Sequence, residues 1–158
     1  MTLSPNSRLA RMIALAIPAL LLGGAYISQY GFGLYPCEMC WWQRWPHFAA
    51  VALAALAFVT EPRKVLTALA ALAILTSGLI GFFHAGVEYG WWPGITSCAA
   101  IFSESSGNAL EDIMNTPLVR CDEPAWTLFG ISLAGYNFLI STVSALVVLV
   151  LLRKDTKA

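Results

Sequence analysis

The chain has 158 residues, 58% of them apolar and only 11% charged, with nine Lys and Arg balancing nine Asp and Glu. A soluble domain of that length cannot bury so much apolar surface, so a lipid bilayer must cover part of it. Balanced charge without a basic cluster excludes a nucleic-acid-binding surface.

A spanning helix needs about 20 mostly apolar residues, and four stretches approach this: Met12–Tyr30, Trp41–Val59, Val65–Phe83 and Leu128–Leu152. The first is followed by further spans and lacks a small-x-small cleavage site, so it is expected to be a transmembrane helix and not a cleaved signal. No repeat, low-complexity tract or long linker divides the chain. The expectation is therefore one all-α membrane domain over 1–158, a four-transmembrane-helix bundle with spans near 12–30, 41–59, 65–83 and 128–152.

Charge orients that bundle. Seven of the nine basic residues (Arg8, Arg11, Arg63, Lys64, Arg153, Lys154, Lys157) fall in the N-terminal tail, the second connection and the C-terminal tail. Those segments are cytoplasmic by the positive-inside rule. The other two connections, 31–40 and 84–125, then lie outside, and they hold all four cysteines. Disulfides persist on that side, where cytosolic reductants do not reach.

The first outer connection leads into Pro36-Cys-Glu-Met-Cys40, followed by Arg44. Pro36 suits the first position of a helix, where a missing N–H costs nothing. A helix starting there sets Cys37 and Cys40 one turn apart, close enough for a disulfide. It also sets a reduced Cys40 at the positive end of the helix dipole, which favours the thiolate. Arg44, four residues on, shares the face of Cys40. After Arg44 only Trp45–Val59 stay apolar, a rise of about 22 Å against a hydrocarbon core of roughly 30 Å. A cation at that depth either snorkels to headgroups or serves function; the functional version is a donor to an electron-poor carbonyl oxygen beside Cys40, such as a quinone's.

Trp41, Trp42, Trp45, Trp91 and Trp92 read mostly as interfacial belt residues. His84, at the outer end of the third span, is a structural histidine, a proton donor or a quinone neighbour. In the second outer connection, Asn108 and Glu111 make a capping-box-like start for a short helix whose Ala109, Leu110, Ile113 and Met114 share a face. Such a helix would lie in the membrane interface. A zinc site fits the cysteines poorly: 22 residues separate Cys98 from Cys121 and no His stands at finger spacing, so no metal is expected. A structural disulfide between Cys98 and Cys121 is the simpler competitor for that pair.

Taken together the motifs resemble the bacterial inner-membrane disulfide bond formation protein B (DsbB) family, which are thiol:quinone oxidoreductases. They are Cys37-x-x-Cys40 with Gln43-Arg44, Gly90-Trp-Trp-Pro-Gly94 ahead of Cys98, and Cys121-Asp-Glu-Pro-Ala-Trp126 running into Leu128-Phe-Gly-Ile-Ser132. The resemblance implies that Cys98–Cys121 meets a periplasmic DsbA-like thiol oxidase, Cys98 forming the mixed disulfide. Cys121 then exchanges with Cys37, and Cys40 passes two electrons to ubiquinone or menaquinone from the membrane pool. On the same ground Arg44 polarises the quinone carbonyl, and His84 stands near the quinone. Two other readings fit the residues: a paralogue dedicated to one oxidase or substrate, and a non-enzymatic membrane protein with inert disulfides.

Overall fold

A computed structural model describes residues 4–96, 99–100 and 118–155. Four long helices make up the described body: α1 (Pro5–Gly31), α2 (Glu38–Val59), α3 (Arg63–Glu88) and α4 (Leu133–Asp155). Two short antiparallel ladders lie at the end that carries the cysteines, β1 (Ala99–Ala100) with β2 (Leu118–Val119), and β3 (Thr127–Leu128) with β4 (Ile131–Ser132). The expected helix over Asn108–Met114, and Cys98 itself, lie outside the described residues.

Three helices, Pro5–Gly31, Arg63–Glu88 and Leu133–Lys154, are long and apolar enough to cross a membrane. The protein is thus a multi-pass helical bundle. Helix α2 is long enough, 22 residues rising about 33 Å, but its N-terminal half carries polar residues. Its buried residues form one stripe: Met39, Gln43, Arg44, His47, Ala50, Ala54 and Ala57. These recur at helical spacing, so the polar half of the stripe faces protein.

Alanine dominates the inner core. Ala10, Ala14, Ala54, Ala70, Ala71 and Val148 are fully buried together, with Ala50, Ile74 and Ala145 in the next layer outward. Small side chains let helices in lipid approach closely, where packing replaces the hydrophobic drive. Gly78 and Gly81 of α3 do the same against α4: a Cβ on Gly81 would stand 2.9 Å from the Ala134 carbonyl oxygen. Large apolar side chains such as Leu20, Leu79 and Val143 point outward instead, as a lipid-facing surface requires. At the end opposite the cysteines Arg11 is buried and donates to the Ala57 carbonyl in the last turn of α2, 3.1 Å away, where a cation meets the negative end of the helix.

The helices outrun the apolar stretches. Helix α3 continues past Phe83 to Glu88, so His84 and Glu88 sit a turn apart inside a helix and not in a loop. Helix α2 begins two residues later than Pro36, because Cys37 takes the capping position and its Sγ accepts from the Cys40 N–H at 3.3 Å. Leu128–Ser132 forms a hairpin and not the start of the fourth span. Phe129 and Gly130 both have positive φ, 50° and 77°, as a tight two-residue hairpin turn demands. Tyr89 clamps that hairpin, its hydroxyl donating to the Gly130 carbonyl and accepting from the Ser132 N–H. The Ser132 hydroxyl then accepts from the Gly135 N–H at 3.1 Å, capping α4.

Candidate functional site

Capping by Cys37 brings the two sulfurs of the first motif together. Cys37 and Cys40 Sγ are 3.2 Å apart, and both rest on the fully buried Met39 and on Val87 in a cluster that also takes in Cys121, Trp42 and Trp92. Trp42 and Trp92 are therefore packed, whereas Trp41, Trp45 and Trp91 stay exposed as belt residues would. All three described cysteines are free thiols. Cys37 precedes the helix, and its hydrogen bond to Cys40 together with burial pushes its pKa up to about 12, against a partial offset from His84. Burial also raises Cys121. Antiparallel pairing of Ala99 with Val119 ties the two ends of the second outer segment beside this cluster.

Two cavities flank the dithiol. One, of about 270 Å³, is mostly apolar and lies between α1, α2 and the start of α4; its polar lining includes Gln43, Arg44, His47 and Asn137. The other, of about 250 Å³, is lined by Cys37, His84, Glu88, Arg120 and Glu123. Cys40, with Leu34, Tyr35 and Ala125, lines both. Two walls of the first cavity, Leu20 and Leu133, are themselves exposed on the bundle surface.

Arg44 is 6% exposed and is held toward α1. It donates to Gln29 Oε1 at 2.7 Å and to the Ala25 carbonyl at 3.3 Å, and its guanidinium lies over the rings of Tyr26 and Trp41. These bonds engage two of its five N–H groups, so the charge is anchored within protein.

A buried amide pair couples the two cavities. The Met39 carbonyl can only accept, so the Gln43 group 3.2 Å from it is the NH₂. The second hydrogen of that NH₂ points at His84 Nδ1, 2.8 Å away, which makes Nδ1 an acceptor and places the proton of neutral His84 on Nε2. His84 Nε2 faces Cys37 Sγ at 3.6 Å and Glu88 Oε1 at 3.7 Å. On the other side Gln43 Oε1 accepts from Asn137 Nδ2 at 2.8 Å, so Asn137 Oδ1 faces His47 Nε2 at 2.9 Å. The Ser77 hydroxyl near the same nitrogen spends its proton on the Gln43 carbonyl. Nε2 of His47 therefore carries the hydrogen. One backbone carbonyl thus fixes the tautomers of both histidines.

Of the residues singled out from the sequence, Cys37, Cys40, Cys121 and His84 converge at one place, with Arg44 one turn below Cys40. His84 lines the cavity of Cys37 and Glu88 and not the one that Arg44 lines. Gln29, Ser77, Glu88, His47 and Asn137 were missed as site residues. His47 and Asn137 did carry a signal, since polar side chains inside apolar spans are functional by default. Sulfurs of Cys37 and Cys121 and a ring nitrogen of His84 lie within 4.8 Å of one another, a spacing a soft metal could draw in. The proton that Gln43 assigns to His84 Nε2 blocks the ligating lone pair, so the residues as arranged fit a metal poorly.

Comparison with known proteins shows the family to which the chain belongs. The chain is 31% identical over 160 residues to disulfide bond formation protein B of Polaromonas sp. (strain JS666 / ATCC BAA-500), covering 93% of this chain and 90% of that protein. It is 33% identical over 137 residues to disulfide bond formation protein B 2 of Pseudomonas syringae pv. syringae (strain B728a), covering 81% and 78%. An uncharacterized protein of Rickettsia prowazekii, RP370, is 25% identical over 139 residues. No solved structure matches. The sequence profile of disulfide bond formation protein DsbB matches residues 7–151, and the chain belongs to that family of membrane-embedded redox proteins.

Proposed function

We propose that the protein is a quinone-dependent thiol oxidase of the bacterial inner membrane that reoxidises a periplasmic DsbA-like partner. In this reading the chain crosses the membrane four times, and the bias of basic residues toward the termini and the α2–α3 connection supports cytoplasmic termini and periplasmic cysteines. The observation that carries the reading is the position of Cys40, which lines both the cavity of Cys37, His84 and Glu88 and the apolar cavity of Arg44. A thiol so placed can be released on one side and oxidised from the other.

Each exchange balances as one disulfide for two thiols. The reduced partner attacks Cys98–Cys121, Cys98 forms the mixed disulfide, and Cys121 leaves as thiolate. Cys121 then attacks Cys37 of a Cys37–Cys40 disulfide, and Cys40 is the leaving group. The Cys121 sulfur within 4.8 Å of Cys37 supports this direction of attack. The partner's second thiol then closes the partner's own disulfide and releases Cys98, which attacks the Cys121 sulfur of the Cys37–Cys121 bridge; Nε2–H of His84 faces Cys37 Sγ, where it can stabilise charge on that sulfur as it departs. Helix capping holds the Cys40 N–H on Cys37 Sγ, fixing the pair for closure.

The apolar cavity fits a quinone head group by its volume, its apolar lining and its Arg44 donor. A bound quinone supplies the electron sink, taking two electrons and two protons from the dithiol and leaving as quinol. Arg44 holds a fixed positive charge beside the site at a depth where water does not screen it. Strongly oxidising DsbA-type partners need such a downhill acceptor.

The test is anaerobic stopped-flow oxidation of a reduced DsbA-like partner by the purified protein with ubiquinone or menaquinone. Beyond the equivalents that the protein's own disulfides take up, partner thiols should disappear only with quinone present, one quinol per disulfide. Cys40→Ser should abolish quinol formation, and Arg44→Ala should raise the quinone KM about tenfold or more, as loss of a charge-assisted hydrogen bond does. Turnover indifferent to quinone would sink the reading.

A further inference from the structure

His47 is the histidine among the residues that line the apolar cavity, and it is 3% exposed. Its Nε2–H is committed to Asn137, while its Nδ1 is buried and has no hydrogen-bond partner among the described residues. A buried polar atom left unpaired costs affinity or stability until something meets it. Because the proton sits on Nε2, Nδ1 of the neutral ring offers a lone pair and accepts only. A carbonyl oxygen cannot satisfy it; a hydroxyl can.

We propose that His47 Nδ1 accepts a hydrogen bond from a hydroxyl of the reduced quinone, so that this cavity holds quinol more tightly than quinone. The inference rests on the reading of the cavity as the quinone site and adds to it a preference between the two redox forms. Cys40, Arg44 and His47 are spaced four and three residues apart, one stripe of α2, with His47 about 4.5 Å deeper along the axis than Arg44. The two side chains therefore address different ends of a ring. Arg44 only donates and suits the oxygen of either form. His47 only accepts, so it discriminates.

The preference acts on the reaction through linkage. A site that binds quinol more tightly than quinone shifts the equilibrium between dithiol plus quinone and disulfide plus quinol toward oxidation by the same factor. Both protons and both electrons come from the Cys37–Cys40 dithiol, and His47 begins and ends neutral. The Gln43–Asn137 pair, by fixing the tautomer, is what makes the site selective.

The test uses full-length protein in detergent carrying Cys37→Ser and Cys40→Ser, so that ligands bind without turnover. Under anaerobic conditions a short-chain ubiquinone, its quinol and the dimethyl ether of that quinol are titrated, with quenching of tryptophan fluorescence as the readout. Quinol should bind about tenfold more tightly than either quinone or dimethyl ether, the value of one buried hydrogen bond. His47→Phe should erase that difference. Equal, saturable binding of quinol and quinone with His47 in place overturns the inference while the quinone site stands. The same holds if the quinol preference survives His47→Phe, and absence of saturable binding by any of the three ligands overturns both. Comparing ligands on the protein that retains His47 keeps the test decisive even if His47→Phe fails to fold.

Discussion

Cys37 shows how one capping position sets a thiol's chemistry. Its sulfur accepts the Cys40 N–H and lies 3.2 Å from Cys40 Sγ, and its pKa is pushed up to about 12, first by the hydrogen bond to Cys40 and then by burial. Cys37 therefore keeps its proton in the reduced state while its neighbour is freer to lose one. A group whose folded pKa is raised favours the fold while it is protonated. That contribution is complete below the ordinary thiol value of 9.0 and is lost as pH rises toward 12. Alkylation rates of Cys37 in the reduced protein, with Cys98→Ala and Cys121→Ala, should accordingly rise only well above pH 9. Cys40→Ala removes the largest cause and should move the midpoint down. Unchanged pH dependence after Cys40→Ala would mean that burial alone holds the thiol.

Among the helices, the α3–α4 contact is the tightest place to probe. Gly81 sits where a Cβ would meet the Ala134 carbonyl at 2.9 Å and the Asn137 amide at 3.1 Å, whereas a Cβ on Gly23 of α1 would meet nothing within 4 Å. Two Gly→Ala changes in spanning helices should then differ in sign. Gly81→Ala should destabilise by about 1–3 kcal/mol through overpacking, and it should also disturb the amide pair that Asn137 anchors. Gly23→Ala should stabilise by about 0.5–1 kcal/mol through helix propensity. Thermal unfolding in a single detergent checks both, and a Gly81→Ala protein as stable as the parent would show that α4 can shift to make room.

Across the whole molecule, polarity runs along the bundle axis. Basic residues and the Arg11 contact with α2 mark one end, and the cysteines, Glu88 and the Arg120–Asp122 ion pair mark the other. Arg120 holds the exposed Asp122 carboxyl below its usual range. If the first end is cytoplasmic, a cysteine-free protein carrying Glu123→Cys should react with a membrane-impermeant maleimide in cells with a permeabilised outer membrane and an intact inner one. Lys154→Cys should react only after the inner membrane is opened. The reverse pattern would invert the topology and remove the cysteines from the oxidising compartment.

By itself the sequence determined the helical membrane class, the charge bias along the axis, and the placing of Cys40 and Arg44 on one helical face. Those follow from composition and period, which record how much of each segment is buried and on which side. Tertiary structure decided the rest. Gln43 meets Asn137 from 94 positions away and His84 from 41. Cys121 comes beside Cys37, and Cys40 becomes a wall shared by two cavities. The hairpin at Phe129 and Gly130 replaced an expected helical start, since an apolar run of that length does not distinguish the two. Which polar side chains meet across helices depends on their relative rotation and depth, and a one-dimensional pattern carries neither. That is why His47 reads as one more polar residue in an apolar run until Asn137 takes one of its nitrogens and leaves the other without a partner among the described residues.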